Sequence, residues 1–393
     1  MQNIFKYLKG DSVIWIVTIL FLGLSMLSVY SFVPILVKTE GGSPFGYLFK
    51  HVIYIGIGFA AMYWIHRQDP KYIEKLSKFI FIIAIALLIF TFFFGVRVND
   101  ASRWVRVPII GLTFQSSDFA KLALVIFISR RLVSNRDYFG SWKKSFMSVV
   151  LPILLICGLI AKDNFSTAAI IFLVSLLLLF VGKFPMTKIL GIIGSGIVAV
   201  FLIVMTHLAL PAMNLLPRFD TWMSRFFKAY GDGGASVENM QAINAKLAIH
   251  NGGYTGVGVG DGDLKHYTPE AYADFFYSSF VEEFGLFSAI ILIFLYLILF
   301  YRILRIGLNA KNLFETYLSI GIGLLLLTQA MVNMFVCTGI MPVTGQNMPF
   351  LAMGGSAMVM SCISLGIVLS IARKNNPNGE SLNSTNKMNE NEH

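Results

Sequence analysis

Apolar stretches of about twenty residues, separated by short polar or charged connectors, recur at 13–35, 46–66, 76–95, 116–133, 145–161, 166–183, 187–210, 272–301, 313–338 and 351–373. A hydrocarbon layer about 30 Å thick is crossed by a helix of about 20 apolar residues, so the pattern predicts ten transmembrane helices. The expected fold class is therefore an all-α polytopic membrane protein. The first window lacks a small-residue cleavage site and is followed by further spans, which reads as a signal anchor and not as a removed signal peptide. An even number of spans puts both termini on one side. Residues 1–373 are expected to form one integral membrane domain, with a large extracytoplasmic loop at about 211–271 between the seventh and eighth helices. Residues 374–393 are polar enough to be expected as a disordered tail.

Charge gives the orientation. Short cytoplasmic loops retain Lys and Arg. With the N terminus inside, the inner segments collect Lys6, Lys9, Arg67, Lys71, Arg130, Arg131, Lys143, Lys144, Arg302, Arg305, Arg373 and Lys374, and the short outer loops hold far fewer cations. Both termini are expected in the cytoplasm. Topology and anionic membrane lipid account for the net charge of +10, and no nucleic-acid motif accompanies it. Cys157, Cys337 and Cys362 lie singly in apolar windows with no metal-ligand spacing, and no H-E-x-x-H occurs.

Two outward segments are longer than connectors need to be. The first, RVNDASRWVRVPIIGLTFQSSDFAK (97–121), carries Arg103 and Trp104, which suit either a functional loop or a headgroup anchor. Ser116 or Ser117 is expected to cap the following helix. Asp118 and Lys121 in its first turns are spaced to pair, and Lys121 would lie near the headgroup layer. The second, about 211–271, carries Arg218, Arg225, Gln241 and the glycine-rich NGGYTGVGVGDGD (251–263). That run lacks G-x-G-x-x-G spacing; it reads either as a tight turn or as a nest of N–H groups facing a phosphate.

YTPEAYADFFYSSFVEEFG (267–285) places four carboxylates at the head of an apolar window. Thr268-Pro269-Glu270 has the form of a helix start, and predicts a helix from about 269. On such a helix Glu270, Asp274, Ser278 and Glu282 form one stripe, with Glu283 turned about 100° away. Asp274 would sit near the headgroup layer. Glu282 and Glu283, lying deeper, would need a polar interior and are expected either to serve function or to pair with buried cations such as Lys121 or Arg131.

These residues resemble a family. PEAYADFFYSSFVEEFG (269–285) is similar to a signature of the FtsW/RodA group, the SEDS peptidoglycan glycosyltransferases. NDASRWVRV (99–107), FQSSDFAKL (114–122), the arginine pair of RFDTWMSR (218–225), MQAINAKLAIHNGGYTGVGVG (240–260) and MPVTGQNMPFLAMGGS (341–356) resemble further family segments in the same order. The likeness covers nearly the whole chain. Departures are Asn164, which stands where the family has an aspartate, Asp118 in place of a glutamate, and Tyr272 in place of a histidine.

The resemblance implies polymerisation of lipid II at the outer face of the cytoplasmic membrane, with an undecaprenyl-diphosphate leaving group. Asp274 is then the expected general base. Arg103, Trp104, Lys121, Arg218, Arg225, Gln241, Glu270, Thr344 and Gly345 are the expected substrate-binding residues. Asp118, Asn164, Glu282, Glu283, Pro342, Gly354, Gly355 and Ser356 are expected to support the site, the 341–356 segment as a Pro- and Gly-broken re-entrant stretch. A divalent cation (Mg or Mn) bridging the phosphates fits that chemistry, although no ligand set is visible. A class B penicillin-binding protein and other division proteins are the implied partners. Overall similarity leans to the FtsW branch, and hence to septal synthesis more than to elongation. A precursor flippase and a non-enzymatic scaffold are the competing classes.

Overall fold

The structure is a computed structural model that describes residues 9–98, 101–106, 113–209, 237–268 and 271–375. In chain order the helices and strands are α1 (Ser12–Glu40), α2 (Pro44–His66), α3 (Pro70–Phe94), β1 (Val96–Val98), β2 (Ala101–Arg106), β3 (Thr113–Gln115), α4 (Ser116–Ser134), α5 (Trp142–Ala161), α6 (Phe165–Val181), α7 (Met186–Ala209), α8 (Val237–Asn251), α9 (Phe276–Leu308), α10 (Leu313–Cys337) and α11 (Gly355–Asn375). Among the described residues, eight helices are long and apolar enough to cross a membrane: α1, α2, α3, α5, α7, α9, α10 and α11. The apolar α6 is shorter, at 17 residues. Helix α4 has the length but carries Asp118, Lys121, Arg130 and Arg131.

The low apolarity of α4 follows from its position. It packs among α3, α5, α6, α10 and α11, and nearly every residue from Ser116 to Ser129 is buried. A helix enclosed by protein needs no lipid-facing stripe and can hold charge if the charge is paired. At the periphery, Phe79, Phe93, Ile197, Phe201 and Phe294 are exposed, as lipid-facing positions of spanning helices require. Buried hydroxyls such as Thr18, Thr91, Ser129 and Ser175 return a hydrogen bond to the carbonyl four residues back and so bring no unsatisfied group into the bundle.

Helix ends are fixed by short polar side chains. Asp11 caps α1 by accepting from Val13 N and Ile14 N, and the same carboxylate receives Arg302 Nε at 2.9 Å from the far end of α9. Asp69 and Pro70 start α3, and Asn312 starts α10. Lys374 Nζ donates to Glu315 at 2.5 Å, joining the end of α11 to the start of α10. Residues 11 and 374 therefore lie at the same end of the bundle. Lys374 is helical, since α11 runs to Asn375, so the expected tail boundary at 374 is corrected; residues 376–393 are outside the described residues.

The three short strands form one antiparallel sheet, ordered β1-β2-β3, directly before α4. Trp104 pairs with Val96 on one side and Gln115 on the other. Tyr54 Oη accepts from Thr113 N at 3.2 Å and fixes the sheet to α2.

Candidate active site

Helix α9 begins at Phe276, not near 269, and Asp274 lies in the turn 271–275 before it. The physical reason is tertiary. In a helix the carbonyls of Tyr272 and Asp274 would accept from residues 276 and 278. Here Tyr272 O accepts from Met353 N at 3.0 Å, and Asp274 O accepts from Asn333 Nδ2 at 2.9 Å. Both carbonyls are committed sideways, which overrides a good local helix start. Asp274 therefore does not share a helical stripe with Ser278 and Glu282; it precedes the helix. Glu282, six residues past Phe276, is about 9 Å further along α9 at 1.5 Å per residue. Pro269 and Glu270 lie outside the described residues.

Facing this turn is the segment 338–354, which has no helix until α11 starts at Gly355. Gly345 turns it at φ +68°, a conformation that favours glycine. Thr344 and Pro342 are half-buried in the same stretch. Gly345 and Gln346 line a narrow cavity of about 40 Å³ whose polar side is Gln115, Asp118, Lys121 and Gln329 and whose apolar side includes Leu325 and Met360. That volume holds a few water molecules. Lys121 Nζ meets Asp118 Oδ1 at 2.8 Å, and Ser356 Oγ donates to Asp118 Oδ2 at 3.0 Å. Helix α4 is begun by Gln115, whose backbone takes the cap position without a side-chain bond; Ser116 and Ser117 are not the cap. Instead Ser117 Oγ accepts from Gln115 Nε2 at 2.9 Å.

A chain of buried amides extends from this cavity. Gln346 Nε2 donates to Thr167 Oγ1 at 2.5 Å, and Thr167 N donates to Asn164 Oδ1 at 3.0 Å. Asn164 is thus the N-cap of α6, a task that aspartate and asparagine perform about equally. Gly355 packs where a Cβ would lie 2.1 Å from the Tyr54 ring, and a Cβ on Gly354 would meet Asn347 Nδ2 at 2.7 Å.

Glu282 and Glu283 have partners other than the expected Lys121 or Arg131. Glu283 Oε1 receives Lys265 Nζ at 2.6 Å, and Ser31 Oγ from α1 also donates to it. Lys265 Nζ further reaches Ser31 Oγ at 2.6 Å and Gly260 O at 2.9 Å. Glu282 Oε1 accepts from Leu264 N at 3.2 Å. Lys121 is engaged elsewhere, by Asp118, and Arg131 lies ten residues further along α4 with its guanidinium over Phe127.

The glycine-rich run is interlocked with α9 where that helix breaks, at Gly285 (φ 78°, ψ 174°). Glu282 O and Glu283 O accept from Val257 N at 3.0 Å and Gly258 N at 3.1 Å. The N–H groups of Leu286 and Phe287, which would have bonded those carbonyls in a helix, donate to Gly253 O at 3.0 Å and Tyr254 O at 3.2 Å. A Cβ on Gly252 would lie 2.1 Å from Val281 O, and one on Gly256 would lie 2.2 Å from Glu283 O. The glycines permit backbone to touch backbone. With the N–H groups of 256, 257 and 258 committed internally, the phosphate-nest reading gives way to the tight-turn reading.

Of the remaining sequence candidates, Arg103 and Trp104 fall on β2, with Trp104 half-buried, and Gln241 is half-buried on α8. Arg218 and Arg225 lie outside the described residues, as does the 210–236 part of the expected loop. Sequence reasoning passed over Asn333, Gln346, Lys265 and Ser31. The available signals were an amide isolated in the apolar run TQAMVNMFV and a lysine adjoining the glycine-rich run. Among the described residues no group of three or more His, Cys, Asp or Glu side chains could hold a metal ion. Asp118 is engaged by Lys121 and Ser356.

The fold and sequence have close counterparts. The chain is 30% identical over 374 residues to the Geobacter sp. (strain M18) protein named Probable peptidoglycan glycosyltransferase FtsW, covering 93% of this chain and 97% of the relative. It is 27% identical to stage V sporulation protein E of Bacillus subtilis (strain 168), covering 94% and 98%. Among solved structures, a chain of a peptidoglycan synthase complex that coordinates polymerization and crosslinking superposes with TM-score 0.73 at 21% identity, covering 93% of this chain and 98% of that one. Thermus thermophilus rod shape determining protein RodA superposes with TM-score 0.64 at 20% identity, covering 93% and 97%. The family model of cell cycle proteins FtsW, RodA and SpoVE matches residues 11–377, and the chain belongs to that family.

Proposed function

We propose that this protein polymerises lipid II into glycan strands at the outer face of the cytoplasmic membrane, with Asp274 as general base. The observation that carries the reading is the meeting of three segments at one end of the bundle. The Asp274 turn is bonded to the 338–354 segment, whose Gly345 and Gln346 share a cavity with the Asp118–Lys121 pair of α4.

In the reaction the 4-hydroxyl of the acceptor GlcNAc attacks the anomeric carbon of the donor MurNAc. The new C–O bond forms as the C–O bond to undecaprenyl diphosphate breaks, with inversion, and the hydroxyl proton passes to the Asp274 carboxylate. The diphosphate departs with both electrons of that bond and needs charge neutralisation more than protonation. Lys121 has three N–H donors, of which the Asp118 ion pair engages one, and Arg103, Arg218 and Arg225 are the further proposed cations. Glu270, Trp104, Gln241 and Thr344 are proposed to orient the sugars and phosphates.

The same reading gives ten membrane crossings, both termini in the cytoplasm, a class B penicillin-binding protein as transpeptidase partner, and a site of action at the division septum. The positive-inside pattern and the shared end of residues 11 and 374 support the orientation. Asp274→Asn decides the chemistry. The amide keeps size and polarity but cannot take up the proton, so glycan synthesis from labelled lipid II should fall by about 10²–10⁴-fold with normal membrane insertion. Retention of full activity would remove Asp274 from the role. Translocation without chain growth by the unaltered protein would instead identify a flippase.

A further inference from the structure

Asn333 sits on α10, fully buried, about one turn before that helix ends. Its Nδ2 donates to Asp274 O at 2.9 Å and to Gln346 O at 2.8 Å, and its Oδ1 accepts from Tyr277 N at 3.4 Å. These three partners come from three places: the turn bearing the carboxylate, the segment lining the cavity, and the first turn of α9. An amide has two N–H donors, and both are used.

Local sequence leaves a gap that Asn333 fills. The residue in the N-cap position of α9 is Phe275, which has no side-chain acceptor, so the first N–H groups of the helix need acceptors from elsewhere. Asn333 Oδ1 supplies one from across the bundle, while its Nδ2 holds the Asp274 carbonyl out of the helical ladder. Without that bond the helix-start signal at 268–270 would extend α9 backward through 271–275 and redirect the Asp274 side chain.

We infer that Asn333 is the positioning residue of the site. Its single amide fixes the Asp274 turn, the 344–347 cavity wall and the start of α9 in one arrangement, so that the carboxylate and the substrate-contacting segment are held in register. This inference rests on Asp274 being the base. Placement errors of about 1 Å can cost about 10²-fold in rate. Loss of the clamp should therefore lower turnover strongly and substrate affinity little.

The test is a double-mutant cycle in full-length protein with labelled lipid II, using Asn333→Asp, Asp274→Asn and the pair. Asn333→Asp keeps the acceptor and the shape but loses both donors. The expected result is a 10- to 100-fold fall in kcat with KM within about threefold. In the Asp274→Asn background Asn333→Asp should add little further loss, because the two act as a unit. A structural role would instead lower activity additively and shift the unfolding temperature of both backgrounds alike, and that outcome overturns the inference. Normal kcat for Asn333→Asp, with Asp274→Asn inactive, overturns it too. Should Asp274→Asn be fully active, the base reading is what fails. Where Asn333→Asp does not insert, Asn333→Ser, which retains one donor, is carried through the same cycle and judged by the same additivity criterion.

Discussion

Lys265→Met should destabilise the protein by about 3–5 kcal/mol, because it removes one partner of a buried ion pair and leaves the other without its cation. Lys265 and Glu283 are 2% and 4% exposed, and their closest atoms are 2.6 Å apart. At an effective dielectric constant of about 20, that separation corresponds to about 6 kcal/mol of attraction, set against the cost of taking both charges out of water. Methionine preserves most of the apolar stem. What disappears is the ammonium that also donates to Ser31 Oγ and Gly260 O. The carboxylate of Glu283 keeps the Ser31 hydroxyl as a donor, which is too little to solvate a buried charge.

The measurement is thermal or denaturant unfolding in detergent, followed by tryptophan fluorescence, for the unaltered protein, Lys265→Met, Glu283→Gln and the double variant. Removing both charges leaves two neutral groups of nearly the original size, so the double variant should recover most of the loss. Coupling of at least about 2 kcal/mol is expected. Simple additivity would show that the pair is not an energetic unit. Coupling of Glu283→Gln with Lys121→Met in its place would restore the partner expected from sequence, and refute the geometry.

Gly256→Ala places a methyl 2.2 Å from Glu283 O at φ +84°, so it should part the glycine-rich turn from α9, expose the amides of 257, 258, 286 and 287 to hydrogen exchange, and lower polymerisation along with stability. Unchanged exchange at those four positions would count against the interlock. Lys121→Met should reduce both stability and activity, since Asp118 is then left with Ser356 alone; adding Asp118→Asn should return the unfolding midpoint toward normal while chain growth stays low. Recovery of chain growth by the double variant would make the pair purely structural.

Periodicity made the bundle legible because it depends on summed apolar area, which survives errors of a few residues at each boundary. The Asp118–Lys121 pair was legible for a similar reason: spacing of i, i+3 on one helix is a local property. What the sequence concealed is whatever depends on contacts across the bundle. Thr268-Pro269-Glu270 is a sound helix start by local rules, yet the turn at 271–275 is dictated by Asn333, fifty-nine residues beyond Asp274, and by Met353. Glu283 finds its cation eighteen residues back in Lys265 and its hydroxyl donor in Ser31 on α1. The bonds to Asn333, Met353 and Ser31 join residues more than fifty positions apart, beyond any helical window.

The same distinction explains why acidic residues at the head of one apolar window have separate tasks. Glu282 and Glu283 belong to the wall between α9 and the glycine-rich turn, where Glu282 Oε1 accepts from Leu264 N, Glu283 pairs with Lys265, and Gly285 frees backbone groups for the interlock. Asp274 precedes the helix and is held through its carbonyl, which leaves the placement of its carboxylate to the fold and not to helical phase. In the role of base proposed above, Asp274 is better served by a turn fixed at its backbone by a buried amide than by a position within the helix, where helical phase would set its direction. The local conflict between a helix-forming sequence and a non-helical turn is the kind of inconsistency that functional sites retain, with the surrounding structure supplying the stability that the turn lacks.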